Sequence, residues 1–174
     1  MNSLLAISIR PLTINDESFL WEILYHALYI PEGDDPLPLN IFEQPEISRY
    51  VQNWGLSDDI GFLAIGSIDQ KPIGAVWLRL LNGDNRGYGY VDDSTPELSI
   101  AVLPMYRGQG VGTKLLDYLI LNMHSKYRSI SLSVSTNNPA VNLYKRFGFI
   151  TIKNSSTSLT MIKSLCISRT PLVS

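Results

Sequence analysis

The stretch from Pro96 to Lys114 carries the clearest chemistry in the chain: Pro-Glu-Leu-Ser-Ile-Ala-Val-Leu-Pro-Met-Tyr-Arg-Gly-Gln-Gly-Val-Gly-Thr-Lys. It begins with an apolar, β-rich run from Leu98 to Leu103, which Pro104 ends by withholding an N–H. It then turns through Gly108, Gly110 and Gly112 and leaves as a helix with Val111, Leu115, Leu116, Leu119, Ile120 and Met123 on one face. A glycine-rich turn at a helix start bares several backbone N–H groups at the positive end of a helix dipole. That combination binds anions, phosphate above all. Two phosphate patterns are not met. A P-loop needs Gly-Lys-Ser/Thr, and here the order is Gly112-Thr113-Lys114; the dinucleotide fingerprint Gly-x-Gly-x-x-Gly does not match Gly108, Gly110 and Gly112. Specific binding of ATP or NAD is therefore not expected.

The elements around this stretch follow from periodicity and punctuation. Ala6 to Arg10 alternates around Ile7 and Ile9 as a first strand closed by Pro11. Phe19, Leu20, Ile23, Leu24, Ala27 and Leu28 recur at helical spacing, which predicts an amphipathic helix over 15–29. Three prolines and the acids Glu32, Asp34 and Asp35 exclude a regular element between Pro31 and Pro38. Pro45 to Trp54 reads as a short second helix that Gly55 ends. Gly61 to Ile68 and Pro72 to Leu81 read as a hairpin around Asp69-Gln70-Lys71. Asn82 to Asp93 is a polar, glycine-rich connection holding Tyr88 and Tyr90. After the central helix at 110–125, Ser129 to Val134 reads as a strand with one wetter, serine-bearing face. A helix from Pro139 to Phe147 starts on proline and stops at Gly148. Phe149 to Lys153 and Ser158 to Leu165 close the fold as an antiparallel pair, and the last residues read as a loose tail.

The totals set bounds. A chain of 174 residues predicts one domain over 1–174, large enough for a real core. Hydrophobic residues make up 45% and the formal net charge is −2, so neither nucleic acid nor an anionic membrane is an expected partner. The lone Cys166 forms no internal disulfide. The N-terminus shows no basic flank before an apolar core of signal length, and no apolar run approaches a membrane span, so a cytoplasmic protein is expected. His26, His124 and Cys166 are far apart, which predicts no metal site, and no nucleophile elbow is present.

A third pattern does fit the glycine turn. Glu97-x-x-Ile100-Ala101-Val102-x-Pro104 followed by Arg107-x-x-Gly110-x-Gly112 resembles the acetyl-CoA signature of the GNAT superfamily, the Gcn5-related N-acetyltransferases. A second element, Asn137-x-x-Ala140-x-x-Leu143-Tyr144-x-x-x-Gly148-Phe149, resembles the Asn-x-x-Ala…Leu-Tyr…Gly-Phe element of the same family. The order β-α-α-β-β-β-α-β-α-β-β extends the resemblance over nearly the whole chain. It implies a mixed α/β fold of the GNAT type: about four helices around a twisted sheet of about seven strands, splayed between the fourth and fifth, with the cofactor arm in the split.

The resemblance also implies roles. The backbone amides of Gly108, Gln109, Gly110, Val111, Gly112 and Thr113 would hold the pyrophosphate of acetyl-CoA, with Arg107 and Lys114 adding charge. The strand edge at Ile100, Ala101 and Val102 would bond the pantetheine arm. Asn137 would bond that arm too; Asn138 stands beside it, and spacing from Ala140 favours Asn137. Tyr144 would face the thioester sulfur, where a phenol with an ordinary pKa near 10 can protonate or hydrogen-bond a departing thiolate. An alkylammonium acceptor must lose a proton, and Glu97 at the head of the cofactor strand is the candidate for a base, a water relay or a substrate anchor, or it plays none of these parts. Some relatives that acetylate ribosomal-protein N-termini carry a glutamate on the fifth strand; here Ser131-Leu132-Ser133-Val134 offers no acid.

The expected activity is transfer of an acetyl group from acetyl-CoA directly to a primary amine of a small molecule or peptide, with no metal, by a monomer or homodimer. The alternative is a non-catalytic acyl-CoA-binding sensor of the same fold. The acceptor would enter beside the first helices, where Trp21, Tyr25, Tyr29, Trp54, Tyr88 and Tyr90, with Glu32, Asp34, Asp35, Asp92 and Asp93, would form an aromatic, acidic mouth suited to a cation.

Overall fold

A computed structural model describes residues 6–165. Cys166 and the stretch read as a tail lie outside the described residues. The strands are β1 (Ile7–Pro11), β2 (Ile60–Gly66), β3 (Pro72–Arg79), β4 (Glu97–Val102), β5 (Ser129–Ser135), β6 (Ile150–Asn154) and β7 (Ser158–Ser164). The helices are α1 (Glu17–Ala27), α2 (Pro45–Ser48), α3 (Val111–Met123) and α4 (Ala140–Arg146). One seven-stranded sheet runs β1-β2-β3-β4-β5-β7-β6. Neighbours are antiparallel except at its centre, where β4 and β5 are parallel.

That centre is nearly unpaired. The register joins β4 to β5 at one position only, Glu97 opposite Ser131, with the Ser131 amide donating to the Pro96 carbonyl at 3.0 Å. β3 meets β4 in full register from Gly74–Val102 to Arg79–Glu97. Beyond Glu97 the two central strands therefore part, and one edge of β4 is left open in the middle of the sheet.

Strand alternation sends side chains to two cores. Val76, Leu78, Leu98, Ile130 and Leu132 face α3 and α4, where Val111, Leu115, Leu116, Leu119, Val141 and Tyr144 pack on them. Ala75, Trp77 and Ala101 face the other way, onto Leu20, Ile23 and Leu24 of α1 and onto Ile47, Tyr50, Val51 and Trp54. The serines of β5 share this second face, because Ser131 is the bridge partner of Glu97 and their neighbours alternate with Ile130, Leu132 and Val134.

Two elements differ from the sequence expectation. The helix expected at 15–29 is a 3-10 turn, Ile14–Asp16, running into α1, which ends at Ala27. The helix expected at 45–54 is a single turn, α2, followed by tight turns to Asn53 and Gly55, both at positive φ. The cause is Arg79. Its buried guanidinium pairs with Asp59 at 2.9 Å and takes the carbonyls of Arg49 and Gln52 at 2.9 and 2.8 Å. Those carbonyls would be acceptors in a continued helix; here they wrap a cation.

This cluster anchors the 49–59 segment to β3, and it generates a stability prediction. Asp59→Ala leaves the Arg79 charge buried without its partner, so the variant should lose roughly 3–5 kcal/mol in urea unfolding. Adding Arg79→Met should recover part of the loss. A single-variant loss under about 1 kcal/mol would mean that water, not Asp59, satisfies the guanidinium.

Candidate active site

Two clefts flank the split. The larger, about 870 Å³, runs along the open edge of β4 to the start of α3. The smaller, about 230 Å³, opens on the α1 face around Glu97. Both are lined by Ile100, Asn138 and Tyr144 and by Ala27, Leu28 and Tyr29 from the end of α1. A group lying in one cleft therefore meets a group lying in the other beside Tyr144.

The far end of the large cleft is the glycine turn. Gly108 and Gly110 hold φ of +72° and +81°, conformations that glycine reaches without strain, and Gly110 is the N-cap of α3. The first intrahelical bond runs from the Lys114 amide to the Gly110 carbonyl at 3.0 Å. The amides of residues 108–113 thus have no backbone acceptor among the described residues. A Cβ at Gly108 or Gly110 would meet nothing within 4 Å, so the space in front of these donors is open. This is the arrangement that a pyrophosphate fits: consecutive donors, a helix dipole and clearance.

Along the strand, the Leu103 amide donates to the Ile73 carbonyl in β3, so by alternation the backbone groups of Ala101 also face β3 while those of Ile100 and Val102 face the gap. Arg107 lines the cleft, but its side chain is a clip: Nε donates to the Val102 carbonyl at 3.0 Å and Nη2 to the His26 carbonyl at 3.2 Å, tying the end of α1 to β4. The Gln109 side chain turns back to the Met105 carbonyl and does not line the cleft. Lys114 is exposed and outside the lining, whereas Arg146, which sequence reasoning passed over, is part of it. Asn137 is exposed, and its carbonyl accepts the Tyr29 hydroxyl at 3.1 Å; Asn138 is the asparagine that lines both clefts, its Oδ1 capping the Ala140 amide at 2.9 Å. Only solvent exposure distinguishes these two, and sequence spacing does not carry it.

Tyr144 is buried, and burial alone pushes its phenol up to about 12, so it is protonated at neutral pH. Glu97 is 4% exposed. Its Oε1 accepts from the Tyr50 hydroxyl at 2.7 Å and from the Gly89 amide at 2.8 Å. The Tyr50 oxygen in turn accepts from the Tyr88 amide at 2.8 Å, and the two tyrosine rings stack. Oε2 has no partner among the described residues and lies against Gly87, where an added Cβ would come within 2.1 Å of it. A Cβ at Gly89 would come within 2.7 Å of the Leu132 backbone and 2.8 Å of Glu97 Oε1 and of the Ser133 amide. The glycines at 87 and 89 are thus spaces for a carboxylate and a strand. Burial raises the Glu97 pKa, and the hydrogen bonds from Tyr50 and Gly89 only partly oppose it.

The expected mouth is mostly dispersed. Trp54 is buried, donating to the Thr13 carbonyl; Trp21 and Tyr25 pack on Phe42; Arg86 lies over the Tyr90 ring. Tyr29 and Tyr88 do line the smaller cleft, but Glu32, Asp34, Asp35, Asp92 and Asp93 do not. Among the described residues no helix is long and apolar enough to cross a membrane, and no group of three or more His, Cys, Asp or Glu is placed to hold a metal ion.

A raised folded-state pKa on Glu97 has a defined pH signature. The folded protein holds this proton more tightly than the unfolded chain, so stability falls as pH rises from the ordinary carboxylate value through the folded one. Glu97→Gln removes the titration while keeping the acceptor for Tyr50 and Gly89. Its melting temperature should exceed that of the wild type at neutral pH, and the gap should close on acidification toward about pH 4. A gap that is constant across this range would show that Glu97 titrates as an exposed carboxylate.

Comparison with known proteins agrees with this geometry. Residues 20–149, well over half of the chain, match the model of the acetyltransferase (GNAT) family. An N-alpha-acetyltransferase of Sulfurisphaera tokodaii is 44% identical over 59 residues, a match that covers 32% of this chain and only 35% of that protein. Among solved structures, the ribosomal-protein-S18-alanine N-acetyltransferase of Escherichia coli superposes with a TM-score of 0.65 at 18% identity, over 96% of this chain and 99% of that one. The PaiA N-acetyltransferase of Thermoplasma acidophilum, solved with coenzyme A, gives 0.64 at 19% identity, over 91% and 99%. The spermidine/spermine N-acetyltransferase SpeG of Vibrio cholerae gives 0.60 at 18%, over 91% and 94%. At these identities the structures establish a shared fold, and the family model establishes membership: with its sheet parted at Glu97 and its amide turn at the head of α3, this chain belongs to the acetyltransferase (GNAT) family.

Proposed function

We propose that the protein transfers an acetyl group from acetyl-CoA to a primary amine. The observation that carries this reading is the run of six backbone amides at 108–113 with no acceptor among the described residues, set at one end of a cleft whose other end reaches Tyr144. Acetyl-CoA would supply the thioester carbonyl on which an amine acts. The 108–113 amides would hold its pyrophosphate, with Arg146 at the cleft wall adding charge, and Ile100 and Val102 would offer gap-facing backbone groups to its amide arm. The Arg107 side chain contributes by holding α1 against β4, and so setting the cleft width.

Tyr144 is suited to the sulfur. It is neutral, it stands where the clefts meet, and it can give a proton as the carbon–sulfur bond breaks. Glu97 is suited to the nitrogen side. A raised pKa brings it nearer to an ammonium donor than an ordinary carboxylate is, and the Tyr50 hydroxyl is its link toward the cleft. In balance, a neutral amine nitrogen bonds the acetyl carbon as the carbon–sulfur bond breaks, its surplus proton passes to Glu97, the sulfur takes one from Tyr144, and the proton on Glu97 returns through water to the phenolate; an acceptor that arrives as an ammonium first gives one proton to solvent.

The test is release of free thiol from acetyl-CoA with a panel of primary amines. Tyr144→Phe should lower kcat roughly ten- to a thousandfold and leave the KM for acetyl-CoA near the wild-type value. Gly110→Glu has open space for its side chain but strains a left-handed backbone position by about 1–2 kcal/mol, so folding is checked first by circular dichroism; in the folded variant the carboxylate would face the amides and abolish coenzyme A binding in calorimetry. A folded Gly110→Glu protein with unchanged affinity would remove the phosphate assignment, and full turnover by Tyr144→Phe would return that residue to packing.

A further inference from the structure

Glu97 lines the smaller cleft, yet neither of its oxygens has room for an acceptor. A carboxylate oxygen offers two lone-pair sites. On Oε1 both are taken, by the Tyr50 hydroxyl at 2.7 Å and the Gly89 amide at 2.8 Å. Oε2 is buried under Gly87, where an added Cβ would come within 2.1 Å of it. The same Cβ would stand 2.8 Å from the Tyr50 hydroxyl, so glycine at 87 lets the loop close on both groups. No lysine or arginine lines the cleft, and Arg49, whose charge reaches Glu97, spends its guanidinium on the carbonyls of Pro45 and Arg86. A carboxylate held out of water with no cation bonded to it costs stability. The fold bears that cost on the lining that also holds Tyr144.

Tyr50 is placed differently. It lines the same cleft, and its hydroxyl proton is given to Oε1. Of its two acceptor sites one takes the Tyr88 amide at 2.8 Å, and the other has no donor among the described residues. The Tyr88 bond also fixes the hydroxyl rotor, which keeps the proton aimed at Glu97. The residue is held firmly: its ring stacks on Tyr88, and its carbonyl accepts the Trp77 indole N–H at 2.9 Å. Burial, with the Glu97 charge adding to it, pushes the phenol far above its ordinary value, so Tyr50 stays neutral. Such a hydroxyl cannot store a charge, but it can transmit a proton. It takes one on its free lone pair as it hands its own to Glu97.

We propose that Tyr50, rather than Glu97, is the group that meets the acceptor amine, and that its hydroxyl relays the amine's proton to Glu97. This rests on the transferase reading above and adds a catalytic residue to it. As the neutral nitrogen bonds the acetyl carbon and the carbon–sulfur bond breaks, the nitrogen's surplus proton goes to the Tyr50 oxygen and the Tyr50 proton goes to Glu97 Oε1. The sulfur takes its proton from Tyr144. The proton on Glu97 then returns through Tyr50 and water to the Tyr144 phenolate, and all three side chains regain their starting states. The other titratable groups on this lining are the phenols of Tyr29, Tyr88 and Tyr144, and Arg49 acts on Glu97 with a permanent charge, so Glu97 alone titrates here in the acid range.

The experiment measures kcat/KM against pH, per free-base amine, for the fastest of propylamine, benzylamine, spermidine and a tripeptide amide with a free N-terminus, at saturating acetyl-CoA. It compares the wild type with Tyr50→Phe, Glu97→Gln and the double variant. Wild-type kcat/KM should fall at acid pH as Glu97 takes a proton. Tyr50→Phe keeps the ring and its stack on Tyr88. It should lose about tenfold or more in kcat/KM, keep the KM for acetyl-CoA, and lose the acid limb. The double variant should be within about twofold of the slower single, because the two groups act as a unit. If Tyr50 only holds the loop that carries Tyr88, its loss leaves the acid limb in place. A pH profile that superposes on that of the wild type, or single losses that multiply in the double variant, overturns the relay while leaving the transferase reading intact. Where Tyr50→Phe does not fold by circular dichroism, 3-fluorotyrosine at position 50 keeps both hydrogen bonds with a more acidic hydroxyl; a severalfold change in kcat/KM supports the relay and an unchanged rate overturns it. Binding of coenzyme A with no acetylation of any amine by the wild type overturns both readings.

Discussion

The parting of β4 from β5 is the constraint on which the site depends. A sheet normally satisfies its central strands on both sides. Here one bridge at Glu97–Ser131 and one bond to Pro96 join the two halves, and the strands then separate. Everything functional follows from that separation. It creates the large cleft and the serine-lined one, and it places Tyr144, which is anchored among the residues packed on α3 and α4, where it reaches both. The single bridge also fixes Glu97 at the apex, so the one carboxylate that lines the smaller cleft among the described residues stands where the walls begin to open.

Holding the halves apart requires struts. Arg107 ties Val102 to His26, and Tyr29 reaches across the gap to the Asn137 carbonyl. On the opposite end of β3, Arg79 and Asp59 fasten the 49–59 segment, and through it Tyr50, whose hydroxyl then meets Glu97. The position of Glu97 is thus supported by a buried ion pair that Arg79 of the neighbouring strand makes with Asp59. The glycines at 87 and 89 complete the enclosure by supplying room in place of side chains.

The element order and the parted sheet were legible in the sequence because prolines and glycines punctuate it and because the two signature stretches are specific in combination. The amide turn was legible for the same reason: its glycines announce both the conformation and the helix start. What the sequence concealed were side-chain contacts between groups far apart along the chain. Tyr50 lies in a stretch that reads as a short second helix, and nothing local reveals that it bonds a glutamate 47 positions on. Arg79 lies inside the expected strand from Pro72 to Leu81, where nothing local marks an arginine as buried; its burial depends on Asp59 and on three carbonyls from another segment. Arg107 stands in the signature and lines the cleft, but nothing local reveals that its guanidinium is engaged with the carbonyls of Val102 and His26.

The open edge of β4 also bears on how the molecule breathes. In an unbroken sheet of seven strands the central amides are the last to exchange with solvent, because they are released only by global unfolding. In this chain the gap-facing backbone of Ile100 lies at the middle of the sheet with no strand opposite it. Its amide therefore exchanges like that of an outer strand, while Ala101, bonded to β3, keeps core protection. A ligand that fills the gap supplies the missing strand, so occupancy raises the exchange protection at Ile100 and adds to the stability of the whole sheet in proportion to the logarithm of its concentration. The protein is in this sense a sheet one strand short, which a ligand lying in the gap would complete.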